Sequence, residues 1–191
     1  MSKPRPKSSR GPKRSHSALP LVVGSLIVGS VIVHWLAGRT RQLARTDWKE
    51  VPELRGVSLA ELQLSNGQTL SVRDEAAPGA HVIYLFQYDC AACDAQRAHV
   101  AELLEAVPAS QVVSATAQPA SLSPGYWGDL GSPLPQPVGA DSSWLAERHL
   151  DHLPMLLFVD PAGRVKQAIQ GSVLTWSERT FTEAFRNAGA S

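Results

Sequence analysis

The chain has 191 residues, with 18 Lys+Arg against 17 Asp+Glu, and so carries a formal net charge of only +1. The charges are segregated: residues 1–45 hold nine of the 18 basic residues and no acid, leaving nine bases and all 17 acids in the remainder. A basic head on an acidic body is two physical objects in one chain. It argues against a nucleic-acid-binding globule, which is basic where it folds, and no nucleic-acid partner is expected.

Residues 1–17 are basic, rich in Pro and Ser and nearly without apolar content, which predicts a disordered tail. Residues 18–38 contain no Asp, Glu, Lys or Arg, and these 21 residues match the roughly 20 that a bilayer-crossing helix needs. A buried core helix rarely runs so far without a charge. A cleaved signal peptide needs small residues at −3 and −1, whereas here, with Ala37 at −1, the −3 position is Trp35, and Arg39 follows closely. The run is predicted to be an uncleaved transmembrane helix. Six Lys/Arg precede it, and Arg39, Arg41 and Arg45 follow. The positive-inside rule then keeps the N-terminus cytoplasmic and puts the rest on the periplasmic or extracytoplasmic side of the inner membrane. Residues 39–50 read as a linker and 51–191 as one domain.

Within that domain, 56–73 shows two alternating segments around Asn66-Gly67, a hairpin signal. The continuous apolar run 80–88 predicts a strand buried on both faces. A helical pattern over 90–107 sets Val100, Leu103, Leu104 and Val107 on one side, and Pro108 closes it. A second strand is expected at 111–117. The Pro- and Gly-rich stretch 118–141 reads as a long surface loop, in which Tyr126 and Trp127 either line a substrate surface or pin the loop to the core. A short helix over 144–150 and a buried strand over 155–159 follow. A turn at 160–163 leads to an antiparallel partner over 164–170. The last helix, 175–188, opens with the capping-box pattern Thr175-Trp176-Ser177-Glu178. This order predicts an α/β sandwich with a mixed sheet.

Cys90 and Cys93 are the only cysteines, spaced C-x-x-C after the central strand and at a helix start. Helix N-terminal N–H groups lower a thiol's pKa, and the thiolate is the reactive form. Cys90, at the outer end, is the expected nucleophile, and Cys93, one turn in, the resolving thiol. A purely structural bridge over two residues would constrain little chain. A zinc site needs about four ligands, and His81, His99, His149 and His152 show no partner spacing. The pair therefore reads as redox-active, with no metal or cofactor expected.

The strand ending in Asp89, the Cys90-Ala91-Ala92-Cys93 helix start and the later Leu153-Pro154 before a buried strand resemble the thioredoxin fold. More narrowly, residues 51–188 resemble the membrane-anchored, TlpA/ResA-like thiol–disulfide oxidoreductases. The resemblance implies a thioredoxin-like α/β/α sandwich with a mixed central sheet, preceded by the transmembrane helix. It implies that Pro154 is a cis-proline against the disulfide and that Leu153 offers its backbone to substrate. It also implies exported protein substrates with thiols or disulfides, such as cytochrome c apoproteins or metal-site cysteines. A membrane electron-relay protein would act as donor. Two departures stand out. Asp89 occupies a position usually held by Trp; an adjacent carboxylate disfavours the thiolate, which suggests that it tunes the Cys90 pKa and makes the pair a reductant. Tyr84 stands where thioredoxin has a buried acid, leaving Glu61, Asp94 and His99 as candidate proton carriers. The alternatives from other classes are a Sco-like copper-binding module, with His149 or His152 as third ligand, and a non-catalytic assembly factor.

Overall fold

The computed structural model describes residues 48–72, 79–119 and 125–190. The chain divides into two units, Met1–Arg41 and Gln42–Ser191, and every described residue belongs to the second. The predicted tail, the predicted transmembrane helix and all but the end of the predicted linker lie outside the described residues. Among the described residues no helix is long and apolar enough to cross a membrane.

Eight strands and three α-helices are described. The strands are β1 (Lys49–Glu50), β2 (Glu61–Gln63), β3 (Thr69–Ser71), β4 (His81–Phe86), β5 (Val112–Thr116), β6 (Val138–Gly139), β7 (Met155–Val159) and β8 (Val165–Gln170). The helices are α1 (Ala91–Glu105), α2 (Ser142–Glu147) and α3 (Glu178–Gly189). Six strands form one sheet in the order β1-β8-β7-β4-β5-β6, and β2 and β3 form a separate hairpin. Strand β4 is parallel to β5 and antiparallel to β7, so the sheet is mixed, as expected.

Every residue of β4 is buried, and its side chains alternate between two cores. Val82, Tyr84 and Phe86 join α1 and α3 on one face, through Val100, Leu103, Leu104 and Phe181. Ile83 and Leu85 face the other side, where Leu62 and Val72 of the hairpin region and Leu145 of α2 cover them. This period of two is what a central strand between two layers requires. Each fully buried Leu, Ile or Phe contributes about 1.5–3 kcal/mol relative to exposure, so the two cores dominate the stability.

The structure moves several boundaries. The predicted linker ends inside the sheet, with Lys49 opposite Gln170 and Glu50 opposite Ile169. Trp48 packs edge-on against Trp176 at 5.6 Å, so the domain begins before residue 51. A two-residue strand is too short to show alternation. The short helix starts earlier than predicted because Asp141 caps it, accepting from the Trp144 N–H at 2.7 Å. It ends at Glu147, and His149 beyond it has a left-handed φ of 59°, while the Leu150 N–H returns to the Leu145 carbonyl. The last helix is capped by Ser177, which accepts from the Thr180 N–H at 3.2 Å, and not by Thr175. Trp176 is only 5% exposed and lies stacked on Phe158 at 6.1 Å, which holds the chain out of the helix until Ser177.

The hairpin at Asn66-Gly67 forms, with Leu62 opposite Leu70. The turn after β7 is tied by the Asp160 carboxylate, which accepts from the Ala162 and Arg164 N–H groups at 2.9 Å each. Gly163 is required there: its φ is 80°, and a Cβ would come within 2.5 Å of the Ala60 backbone. The stretch 118–141 is a loop only in part. Trp127 is fully buried and Tyr126 is 4% exposed, and β6 adds a short parallel edge beside β5.

Candidate functional site

Strand β4 ends at Phe86, and four residues later Cys90 begins the turn into α1. Cys90 is the N-cap: its φ and ψ are −92° and 105°, and its Sγ accepts from the Cys93 N–H at 3.1 Å. The Cys93 and Asp94 N–H groups also point at the Cys90 carbonyl, at 2.9 and 3.0 Å. A sulfur at this position faces the unpaired N–H groups and the positive end of the helix dipole, both of which favour a thiolate.

The two cysteines are joined as a disulfide, with Cα atoms 5.2 Å apart. They differ in access. Cys93 is fully buried in the α1–α3 core, whereas Cys90 is half-buried at its rim. An incoming disulfide can therefore reach Cys90 first.

Opposite Cys90 in the topology stands the start of β7. Met155 pairs with Leu85, so residues 153 and 154 lie at the end of the sheet from which the cysteine turn departs. The Leu153–Pro154 peptide is cis. Pro154 is buried, and its carbonyl accepts from the Gly171 N–H at 3.0 Å, while Leu153 is half-buried. The segment after β8 is held to the redox helix by Gln96. Its side chain accepts from the Val173 N–H at 2.8 Å and donates to the Gly171 carbonyl at 3.4 Å.

Asp89 is exposed, and its Oδ1 accepts from Gln118 Nε2 at 3.1 Å. The same amide's oxygen accepts from the Tyr88 N–H at 2.7 Å, so one side chain clasps the turn leading into Cys90. Sequence reasoning missed Gln118, because nothing local marks a glutamine two residues beyond a strand. Pairing of Phe86 with Thr116 brings it into place. Of the two readings of Tyr126 and Trp127, the structure bears out the one in which they pin the loop to the core. Phe86 stacks on Tyr84 at 5.3 Å and on Tyr126 at 4.0 Å, and Trp127 packs on Tyr126 at 4.6 Å. Burial raises the Tyr84 phenol well above its ordinary value and pushes Tyr126 up to about 12.

The other candidates scatter. Glu61 lies on the hairpin in β2, exposed and outside the sheet that carries the cysteines. His99 Nε2 is engaged with the Trp176 carbonyl at 3.0 Å. His149 and His152 are exposed. Among the described residues, no three His, Cys, Asp or Glu side chains are grouped to hold a metal ion. Asp94 alone stays near the site, exposed in the first turn of α1.

No protein-family model matches the sequence, and no curated protein matches it. Solved structures resemble it in fold. The thio-disulfide isomerase of Thermus thermophilus aligns with 20% identity over 72% of this chain and 98% of its own, with a TM-score of 0.51. A thioredoxin-like superfamily protein aligns with 21% identity over 70% of this chain and 97% of its own, also at 0.51. A thiol-disulfide isomerase from Corynebacterium glutamicum aligns with 16% identity over 74% of this chain and 99% of its own, at 0.50. At these identities the likeness is one of fold, and the fold is thioredoxin-like.

Proposed function

We propose that this chain is a membrane-tethered thiol–disulfide oxidoreductase whose domain works outside the cytoplasmic membrane, reducing disulfides in exported proteins. One observation carries the reading. A half-exposed cysteine caps the redox helix and is disulfide-linked to a fully buried one, at the sheet end where the Leu153–Pro154 peptide is cis. Two of the structural neighbours bear the name of thiol–disulfide isomerases, which supports the same chemistry.

In the reduced protein the Cys90 thiolate attacks one sulfur of a substrate disulfide. A mixed disulfide forms and the other substrate sulfur leaves with the bonding pair. Cys93 then attacks Cys90, re-forming the Cys90–Cys93 bond and releasing the second substrate sulfur. The dithiol loses two electrons and the substrate gains two. Leu153 offers its backbone to the substrate peptide, and Pro154 shapes the surface beside the disulfide. The exported compartment is oxidising, so a membrane protein with its own dithiol must return the electrons. Cytochrome c apoproteins and metal-site cysteines are the substrate classes we propose.

With a thiol reductant present, the full-length protein is expected to reduce insulin disulfides, and Cys90→Ser to abolish that activity. Retained activity in the variant would overturn the assignment.

The direction of electron flow rests on Asp89. Its carboxylate, held by Gln118, opposes a thiolate on the next residue. Removing that charge favours the thiolate and so the reduced form, which makes the pair more oxidising. Asp89→Asn is expected to raise the reduction potential by roughly 15–30 mV, the equivalent of half to one pKa unit at the thiol. An unchanged or lower potential would refute this role. An unsubstituted potential near about −120 mV would mark an oxidase instead.

A further inference from the structure

Gln96 is a polar residue where the fold calls for an apolar one. It lies on α1 one turn beyond Cys93 and is 1% exposed. Glutamine is seldom buried this far, and a leucine or methionine of similar size would fill the space without taking an amide out of water. Both ends of the amide are used. Its Oε1 accepts from the Val173 N–H at 2.8 Å, and its Nε2 donates to the Gly171 carbonyl at 3.4 Å. Each such bond contributes about 0.5–1.5 kcal/mol net, and the pair brings no more than a well-packed apolar side chain would. Stability alone does not account for the amide.

What the amide holds is the ground between the nucleophile and the start of β7. Gly171 follows the last residue of β8, and its φ of 99° turns the chain out of the sheet there. Its N–H donates to the Pro154 carbonyl at 3.0 Å, one step beyond the pairing of Met155 with Gln170. Met155 also pairs with Leu85, near the end of the strand that leads to Cys90, and Cys90 caps α1. Gln96 therefore closes a circuit. It runs from α1 through Gly171 to Pro154, across from β7 to β4, and back by the cysteine turn to the start of α1. One turn farther along the helix His99 Nε2 meets the Trp176 carbonyl at 3.0 Å, so of these two links Gln96 is the one nearer the cysteines.

We propose that Gln96 is a positioning residue for protein substrates. By bridging α1 to Gly171 and Val173 it fixes the distance between Cys90 and the Leu153–Pro154 backbone, along which the substrate chain lies while its disulfide is attacked. This rests on the dithiol-exchange reading above. The amide acts through Gly171 and Pro154 and takes no part in the sulfur chemistry. A protein disulfide needs two things at once, a sulfur in line with Cys90 and a chain seated along Leu153. A small disulfide needs only the first. A displacement of about 1 Å between the two can cost up to about a hundredfold in rate, so loosening the bridge penalises the protein substrate selectively.

The test measures the second-order rate constants with which reduced full-length protein attacks insulin and dithiobisnitrobenzoic acid. Gln96→Met keeps the length of the side chain but has no amide. It is expected to lower the insulin rate constant about tenfold or more, while the small-disulfide rate constant stays within about twofold. An insulin rate constant within about twofold of the unsubstituted protein would overturn the role. So would an equal fall in both, which marks a general loosening of the fold. Should Gln96→Met fail to fold, Gln96→Asn decides, because it keeps the amide but is one methylene short of reaching both partners. The same selective loss is expected of it, and the same two results would overturn the role. An unsubstituted protein that reduces neither disulfide would instead sink the dithiol-exchange reading, and the role of Gln96 with it.

Discussion

Replacing Cys93 by serine is expected to leave a protein that attacks disulfides but cannot release them. Cys90 keeps its position at the helix N-cap, where the first-turn N–H groups still favour its thiolate. What is lost is the second attack. Turnover of insulin reduction should fall about a thousandfold or more, because the resolving thiol acts as a unit with the nucleophile. At the same time a covalent adduct between Cys90 and the substrate should accumulate, visible as a reducible band on a non-reducing gel. Cys90→Ser should show the same loss of turnover with no adduct, because fully buried Cys93 is out of reach of a protein substrate. An adduct on Cys93, or sustained turnover without it, would reverse the assigned roles. A serine hydroxyl at a fully buried site has its own cost, about 1–3 kcal/mol if it finds no partner. Cys93→Ala provides the companion that removes the thiol without adding a buried polar group.

Trp127→Ala is expected to be the most damaging substitution outside the cysteines. The ring is fully buried and packs on Tyr84 at 5.9 Å and Tyr126 at 4.6 Å, and its N–H bonds Ser114 Oγ at 3.2 Å. Removing it opens a cavity under the redox helix and orphans a buried hydroxyl. Large-to-small changes of this kind cost about 3–5 kcal/mol. For a domain of this size that lowers the melting temperature by roughly 10 °C, measurable by thermal unfolding. Trp127→Phe should cost less, because most of the ring contact survives. A loss below about 1 kcal/mol would show that the loop merely rests on the core.

These two predictions draw on different sources of information. The cysteine pair at the start of a helix was legible in the sequence because it depends on local facts: spacing, a preceding apolar strand and a following helical pattern. The same holds for β4 and β7, whose continuous apolar runs have one sensible destination, a strand covered on both faces. The hairpin was legible because Asn66-Gly67 selects a tight turn. The role of Trp127 was not. A tryptophan in a Pro- and Gly-rich stretch carries no periodicity, and either of its two readings was open until its ring was found between Tyr84, Phe86 and Tyr126.

Helix ends failed for a related reason. Thr175 and Ser177 are both competent caps, and the choice between them was made by the burial of Trp176 between Trp48 and Phe158. The two-residue strand β1 exists only because β8 offers it a partner edge.

The local chemistry of this chain is written into its order of residues: a C-x-x-C pair behind a buried strand, an acid beside it and a proline before another buried strand. Each of those depends on neighbours within a few positions. The surroundings of that pair are assembled from distant positions. Gln118 reaches Asp89 across 29 residues, Gln96 reaches Val173 across 77, and Tyr126 meets Phe86 from a different loop. Such contacts follow from which strands pair and which faces close. A sheet that runs β1-β8-β7-β4-β5-β6 brings together residues whose separation along the chain leaves no local trace.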